Sequence, residues 1–147
     1  MTHGIDTDFL VAAEIQDHPF HREADHLLKR LLAEGHHFAL APQTLAEFIH
    51  IVTDGKRMPQ PLTMTEAISR AEYWWKAEEV VRVFPDDHSV SDFLTWLTRH
   101  QLGRKRLLNT MLAASFRSAG VKRILTNNER DFVVLGGFEI LNFRSPI

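Results

Sequence analysis

Five short apolar runs alternate with helix-patterned segments along this chain, and that alternation restricts its fold more than any other feature. Residues 2–6, His37–Ala41, Glu79–Phe84, Lys122–Thr126 and Phe138–Phe143 each read as a strand. A helical pattern fills each gap between them. Strands that alternate with helices require crossover connections, which are right-handed and give a parallel sheet covered on both faces. The expected architecture is an α/β fold: a three-layer α/β/α sandwich around a mainly parallel five-stranded sheet. No internal repeat, low-complexity stretch or long linker divides residues 1–147, so a single domain is expected.

The helices carry their own punctuation. Residues 8–15 form a first helical segment, and Pro19 opens a second whose stripe is Phe20, Ala24, Leu27, Leu28, Leu31 and Leu32. Gly35 ends it. After Pro42 a helix is expected from Thr44 to about Thr53, followed by the loop DGKRMPQP. Thr63 or Thr65 caps the next helix, with Ala67, Ile68, Ala71, Trp74 and Trp75 on its inner face. Another begins near Ser89 and presents Val90, Phe93, Leu94 and Leu97. Arg104–Ser118 is a further helix with Gly120 beyond its end, and a short turn spans Asp131–Leu135.

Composition excludes several function classes. A 44% hydrophobic content in 147 residues is enough for a core without disulfides or a structural metal. Cysteine is absent, which removes thiolate zinc sites and suits a reducing compartment. The N-terminus lacks a signal-peptide pattern and no apolar stretch reaches membrane-spanning length, so a cytoplasmic protein without membrane association is expected. Net charge is −2, so any contact with a polyanion must be local. Arg104, Lys105 and Arg106 form the densest basic cluster, either a solvated helix face or an RNA-binding patch.

Acidic or amide residues recur where strands end. Asp6 stands in IDTDFLV, Glu47 in APQTLAEF, Asn109 in RLLNTMLAAS and Asp131 in ILTNNERDF. In open α/β sheets ligands bind in the crevice at the carboxyl ends of the strands. Carboxylates gathered there repel one another unless a cation neutralises them, and hard oxygen donors suit Mg²⁺ or Mn²⁺. Each residue also has a local reading. Asp6 can cap the following helix. Thr44 and Glu47 fit a capping box, as do Thr126 and Glu129. Asp8 reads as a solvated or capping residue.

Those four stretches together resemble the PIN domain, and in particular the VapC-type ribonuclease toxins of toxin–antitoxin pairs. The matching segments run in order through nearly the whole chain: IDTDFLV, LAEF, RLLNTMLAAS with its LAA tail, and LTNNERDF. The resemblance implies a metal-dependent endoribonuclease holding Mg²⁺ or Mn²⁺ with Asp6, Glu47 and Asp131. Asn109 falls where the family carries its third acid, and an amide keeps one acceptor oxygen but no charge. That departure implies a weakened site with at most one well-held ion, or a catalytically silent module that binds RNA or protein. Thr7, Thr126 and Asn128 would hold the carboxylates rather than the ion. The resemblance further implies transfer or ribosomal RNA as substrate and an antitoxin as partner. It also implies a homodimer, for which Trp74 and Trp75 are candidate interface anchors, although core burial is the favoured reading of both.

Two other chemistries share parts of this pattern. Asp6-Thr7-Asp8 after a strand is superficially like the nucleophile pair of haloacid-dehalogenase-type phosphotransferases, although the flanking motif does not continue. The nine histidines invite zinc, but His18, His21, His26, His36 and His37 form no His-Glu-x-x-His helix.

Overall fold

The computed structural model describes residues 1–144. Five parallel strands, β1 (Thr2–Ile5), β2 (His37–Leu40), β3 (Val80–Arg82), β4 (Arg123–Leu125) and β5 (Glu139–Leu141), lie in the order β3-β2-β1-β4-β5. Every pairing is parallel, so the expected sheet is parallel throughout. The order reverses at β1, which has β2 on one side and β4 on the other. That reversal opens a crevice beyond the carboxyl end of β1. Asp6 is the first residue past that end.

Seven helices complete the layers: α1 (Thr7–Glu14), α2 (His21–Ala33), α3 (Pro42–Val52), α4 (Met64–Lys76), α5 (Asp87–Arg99), α6 (Leu107–Ser118) and α7 (Glu129–Val133). Successive strand residues serve opposite faces, as the period of two requires. Phe38 and Leu40 pack into a cluster with Phe9, Leu27, Phe48 and Trp74 from α1 to α4. Ala39 and Ala41 face the other cluster, with Trp96, Leu112, Phe116 and Phe132 from α5 to α7. Gly4 is the closest point of the second layer: a Cβ there would stand 2.6 Å from the Phe116 ring. The missing side chain lets α6 settle directly on β1, which carries Asn109 toward the crevice.

Several local expectations need correction. α3 starts at Pro42 with Ala41 as its N-cap, because proline suits the first helical position. Thr44 and Glu47 are therefore inside the helix and form no capping box. α7 is preceded by Asn128 without a side-chain cap, so Thr126 and Glu129 form none either. The reciprocal boxes lie elsewhere, at Thr63 with Glu66 and at Asp86 with Ser89. Arg104–Arg106 is a separate 3₁₀ turn feeding α6 rather than its first turn. Ile68, Val90 and Leu94 are exposed, whereas Trp96 supplies the inward face of α5. Trp74 is buried and donates its indole N–H to Glu14, which makes it a core residue and not an interface anchor. Trp75 is half-buried beneath Arg82 and Phe84.

Candidate active site

Asp6 is the centre of the site. β1 delivers it to the crevice, and the turn into α1 points its carboxylate back at the helix. One oxygen accepts the Thr7 backbone N–H at 2.8 Å, and the other accepts the Thr126 hydroxyl at 2.7 Å. Asp6 is thus both the N-cap of α1 and the buried carboxylate of the crevice, so its two readings are compatible. Burial, with a smaller contribution from the charges of Glu47 and Asp131, pushes its pKa up to about 6 against those two hydrogen bonds. The charges of two of the other expected acids are thus felt at Asp6.

Asp8 is the residue that local reading missed. It is neither solvated nor a cap: its Oδ2 accepts the backbone N–H of Asn127 at 2.8 Å and stands 3.3 Å from the Thr126 hydroxyl. Its other oxygen is buried without a partner. Burial first, and then the charge of Asp6, push its pKa up to about 7. The signal lay in the spacing. Asp6 and Asp8 flank the first residue of α1, so a helix that begins at Thr7 keeps both at the crevice end. Thr126 ties the two together, and its oxygen also accepts the Asn128 backbone N–H at 2.9 Å. Asn128 itself is exposed and takes part through its backbone rather than its side chain. Thr7 is buried with an unpartnered hydroxyl.

Glu47 projects from α3, where burial raises its pKa and a hydrogen bond from Gln43 opposes the rise. Gln43 reaches it at 3.3 Å and donates at 2.9 Å to the carbonyl of Leu108, tying α3 to the first turn of α6. Asn109, on that same turn, donates its amide to Asp131 Oδ2 at 2.8 Å. The opposite oxygen of Asp131 is 3.0 Å from Arg106 Nε. The basic cluster is therefore divided. Arg104 and Lys105 are exposed, whereas Arg106 turns inward and is committed to Asp131.

The donor set fits a divalent cation in charge and in hardness. Asp6, Asp8 and Glu47 are desolvated carboxylates whose charged forms are disfavoured, and one buried oxygen of Asp8 has no partner. A dication is the simplest species to relieve that deficit. Asp131 is withdrawn from it by two donors. As arranged, no three histidine or acidic side chains among the described residues stand close enough together to hold an ion, Asp6, Asp8 and Glu47 included. The scattered histidines form no such group among the described residues either, and His36 pairs with His3 at 2.7 Å. The phosphotransferase reading loses its second acid, since Asp8 is turned onto Asn127.

No protein-family model and no curated protein sequence matches the chain. Solved structures do match in fold. The VapBC2 structure from Rickettsia felis, bound to a DNA fragment of its promoter, aligns with TM-score 0.68 at 18% identity, over 97% of this chain and 99% of that one. VapC20 of Mycobacterium tuberculosis, described as a sarcin–ricin-loop-cleaving toxin, aligns with TM-score 0.63 at 18% identity, covering 84% and 87%. FitAcB from Neisseria gonorrhoeae gives 0.66 at 14% identity, covering 97% of each chain. At this identity the likeness is one of fold, and the fold of this chain is that of the VapC-type PIN-domain toxins.

Proposed function

We propose that the protein is a metal-dependent endoribonuclease and the toxin half of a toxin–antitoxin pair. The observation that carries this reading is Asp6: a buried carboxylate at the topological switch of a parallel sheet, fixed by Thr7 and Thr126 and repelled by Glu47 and Asp131. Mg²⁺ or Mn²⁺ held by Asp6 and Glu47 would polarise a phosphodiester and acidify a bound water. The chain's own residues do the rest. Thr126 and the Thr7 backbone N–H keep Asp6 in one rotamer with its oxygens directed. Gln43 holds Glu47 against α6. Exposed Arg104 and Lys105 attract the RNA backbone, and structured transfer or ribosomal RNA presents unpaired loops for recognition.

A cognate antitoxin is the expected partner, because similar folds occur in VapBC and FitAB structures. A basic antitoxin side chain among the unpaired carboxylates would form a strong charge-assisted fork. A homodimer and a cytoplasmic location belong to the same proposal; no described helix is long and apolar enough to cross a membrane.

The test is cleavage of a structured RNA with and without Mn²⁺, by wild type and by Asp6→Asn and Glu47→Gln variants. Cleavage that requires Mn²⁺ and disappears in both variants is expected. Metal-independent cleavage would sink the reading. A second reading, a silent PIN-type binding module, is favoured by the closed network of Asn109, Asp131 and Arg106. RNA binding without cleavage at any Mn²⁺ concentration would select it.

A further inference from the structure

We propose that Arg106 is a built-in counter-cation that keeps Asp131 away from the metal and limits this site to one divalent ion. The inference rests on the metal-dependent reading above and concerns how the site distributes charge.

The acids of the crevice fall into two unequal groups. Among the described residues, Asp6, Asp8 and Glu47 meet only neutral donors: the Thr126 hydroxyl, the Thr7 and Asn127 backbone N–H groups, and the Gln43 amide. Asp131 has a full positive charge 3.0 Å from one oxygen and an amide donor 2.8 Å from the other. Arg106 and Asp131 are each mostly buried, at 23% and 22% side-chain exposure, so the pair is shielded from solvent and salt far better than a surface bridge.

The two donors to Asp131 come from one stretch of chain. Arg106 closes the 3₁₀ turn and Asn109 sits three residues later in α6, a spacing that puts both on the same side. A carboxylate at 109 would compete with Asp131 for Arg106. An amide cannot, and its N–H₂ instead reinforces the pair. The amide and the inward arginine therefore work as one device: negative charge is removed at 109 and positive charge is supplied at 131. An ion can claim Asp131 only by displacing a half-buried guanidinium, which leaves a partly desolvated cation behind. The uncompensated group, Asp6 with Glu47, is where one dication is favoured.

Calorimetric Mn²⁺ titration, with the bound ion counted by electron paramagnetic resonance, tests this on wild type, Arg106→Gln, Arg106→Lys and the double variant Arg106→Gln/Asp131→Asn. Wild type should bind one ion. Arg106→Gln should bind roughly tenfold more tightly or take a second ion, and Arg106→Lys should stay close to wild type. The double variant removes both charges together and should leave wild-type affinity within about twofold, whereas loss of a true ligand would cost roughly tenfold or more. Equal stoichiometry and affinity in wild type and folded Arg106→Gln would overturn the inference alone. A large loss of affinity in the double variant would also overturn it, and decides the matter if Arg106→Gln alone does not fold. No Mn²⁺ binding by any of the proteins would overturn the metal reading together with the inference.

Discussion

Asn109 donates its side-chain amide to Asp131 across 2.8 Å, joining α6 to α7 at the rim of the crevice. Asn109→Asp replaces that donor with a charge. Without metal the variant should lose about 1–3 kcal/mol of stability, the cost of leaving a buried polar group unsatisfied. Saturating Mn²⁺ should restore it by mass action, so the melting temperature becomes metal-dependent to a degree that wild type is not. Thermal unfolding in chelator and in Mn²⁺ measures both; a variant with unchanged melting in each condition would refute the role assigned to the amide.

Thr126 orients the central carboxylate without being placed to react. Thr126→Val keeps the shape but removes the hydroxyl that donates to Asp6 and accepts from Asn128. Mn²⁺ affinity and RNA cleavage should each fall roughly 10- to 100-fold, the usual cost of removing a group that orients a ligand. Circular dichroism should remain native. Wild-type affinity in the valine variant would mean that Thr7 alone suffices to hold Asp6.

Asp8 makes stability depend on pH in an unusual direction. Its pKa is raised to about 7 from the unfolded value of 3.8, so between those values the folded protein binds more protons than the unfolded chain. Stability from this group is complete below pH 3.8 and is lost as pH rises through about 7. Asp8→Asn removes the titration. Its stability relative to wild type should therefore improve steadily from pH 4 to pH 8 in metal-free urea denaturation. A pH-independent difference would contradict the buried, unpaired state of this carboxylate.

His3 should act in the opposite sense. Burial lowers its pKa to about 4 from 6.5, helped by the neighbouring His36 and Arg123. The unfolded chain then binds more protons between those values, so stability is full above 6.5 and lost as pH falls through 4. Measuring wild type against His3→Gln between pH 7 and pH 4 should show the difference narrowing on acidification.

Of the basic cluster, Arg104 and Lys105 stay exposed while Arg106 is engaged with Asp131, so the proposed RNA contact falls to the exposed pair. Replacing both with alanine should weaken RNA binding and reduce its logarithmic salt slope by about 1.4, at roughly 0.7 per phosphate contact on single strands. Mn²⁺ affinity should be unchanged. An unaltered slope would make this pair a solvated turn.

Gly4 tests the closeness of the layers. Gly4→Ala would push a methyl to 2.6 Å from Phe116, a fully buried ring with no free space to retreat into. A loss of about 1–3 kcal/mol is expected from overpacking, read as a lower urea midpoint. Any gain in stability would mean that α6 can shift from β1 without cost.

The sequence by itself determined the layered α/β architecture. Strand-period runs such as HFAL and helix-period stripes such as Ala24, Leu27 and Leu31 are local patterns with one common solution. Asp6 could be placed from the pattern as well, since a strand followed at once by a helix leaves it at the carboxyl end of β1. The start of α3 at Pro42 follows a local rule, proline at the first helical position, whereas the division of Arg104–Arg106 depends on Asp131 and is not local. Asp8 and Arg106 were misread for a deeper reason. Whether a charged residue next to a helix start points to water or inward depends on partners far along the chain, here Asn127 for Asp8 and Asp131 for Arg106. Charge compensation is a through-space quantity, so only the tertiary structure could decide which acids of this crevice are already neutralised and which still want a cation.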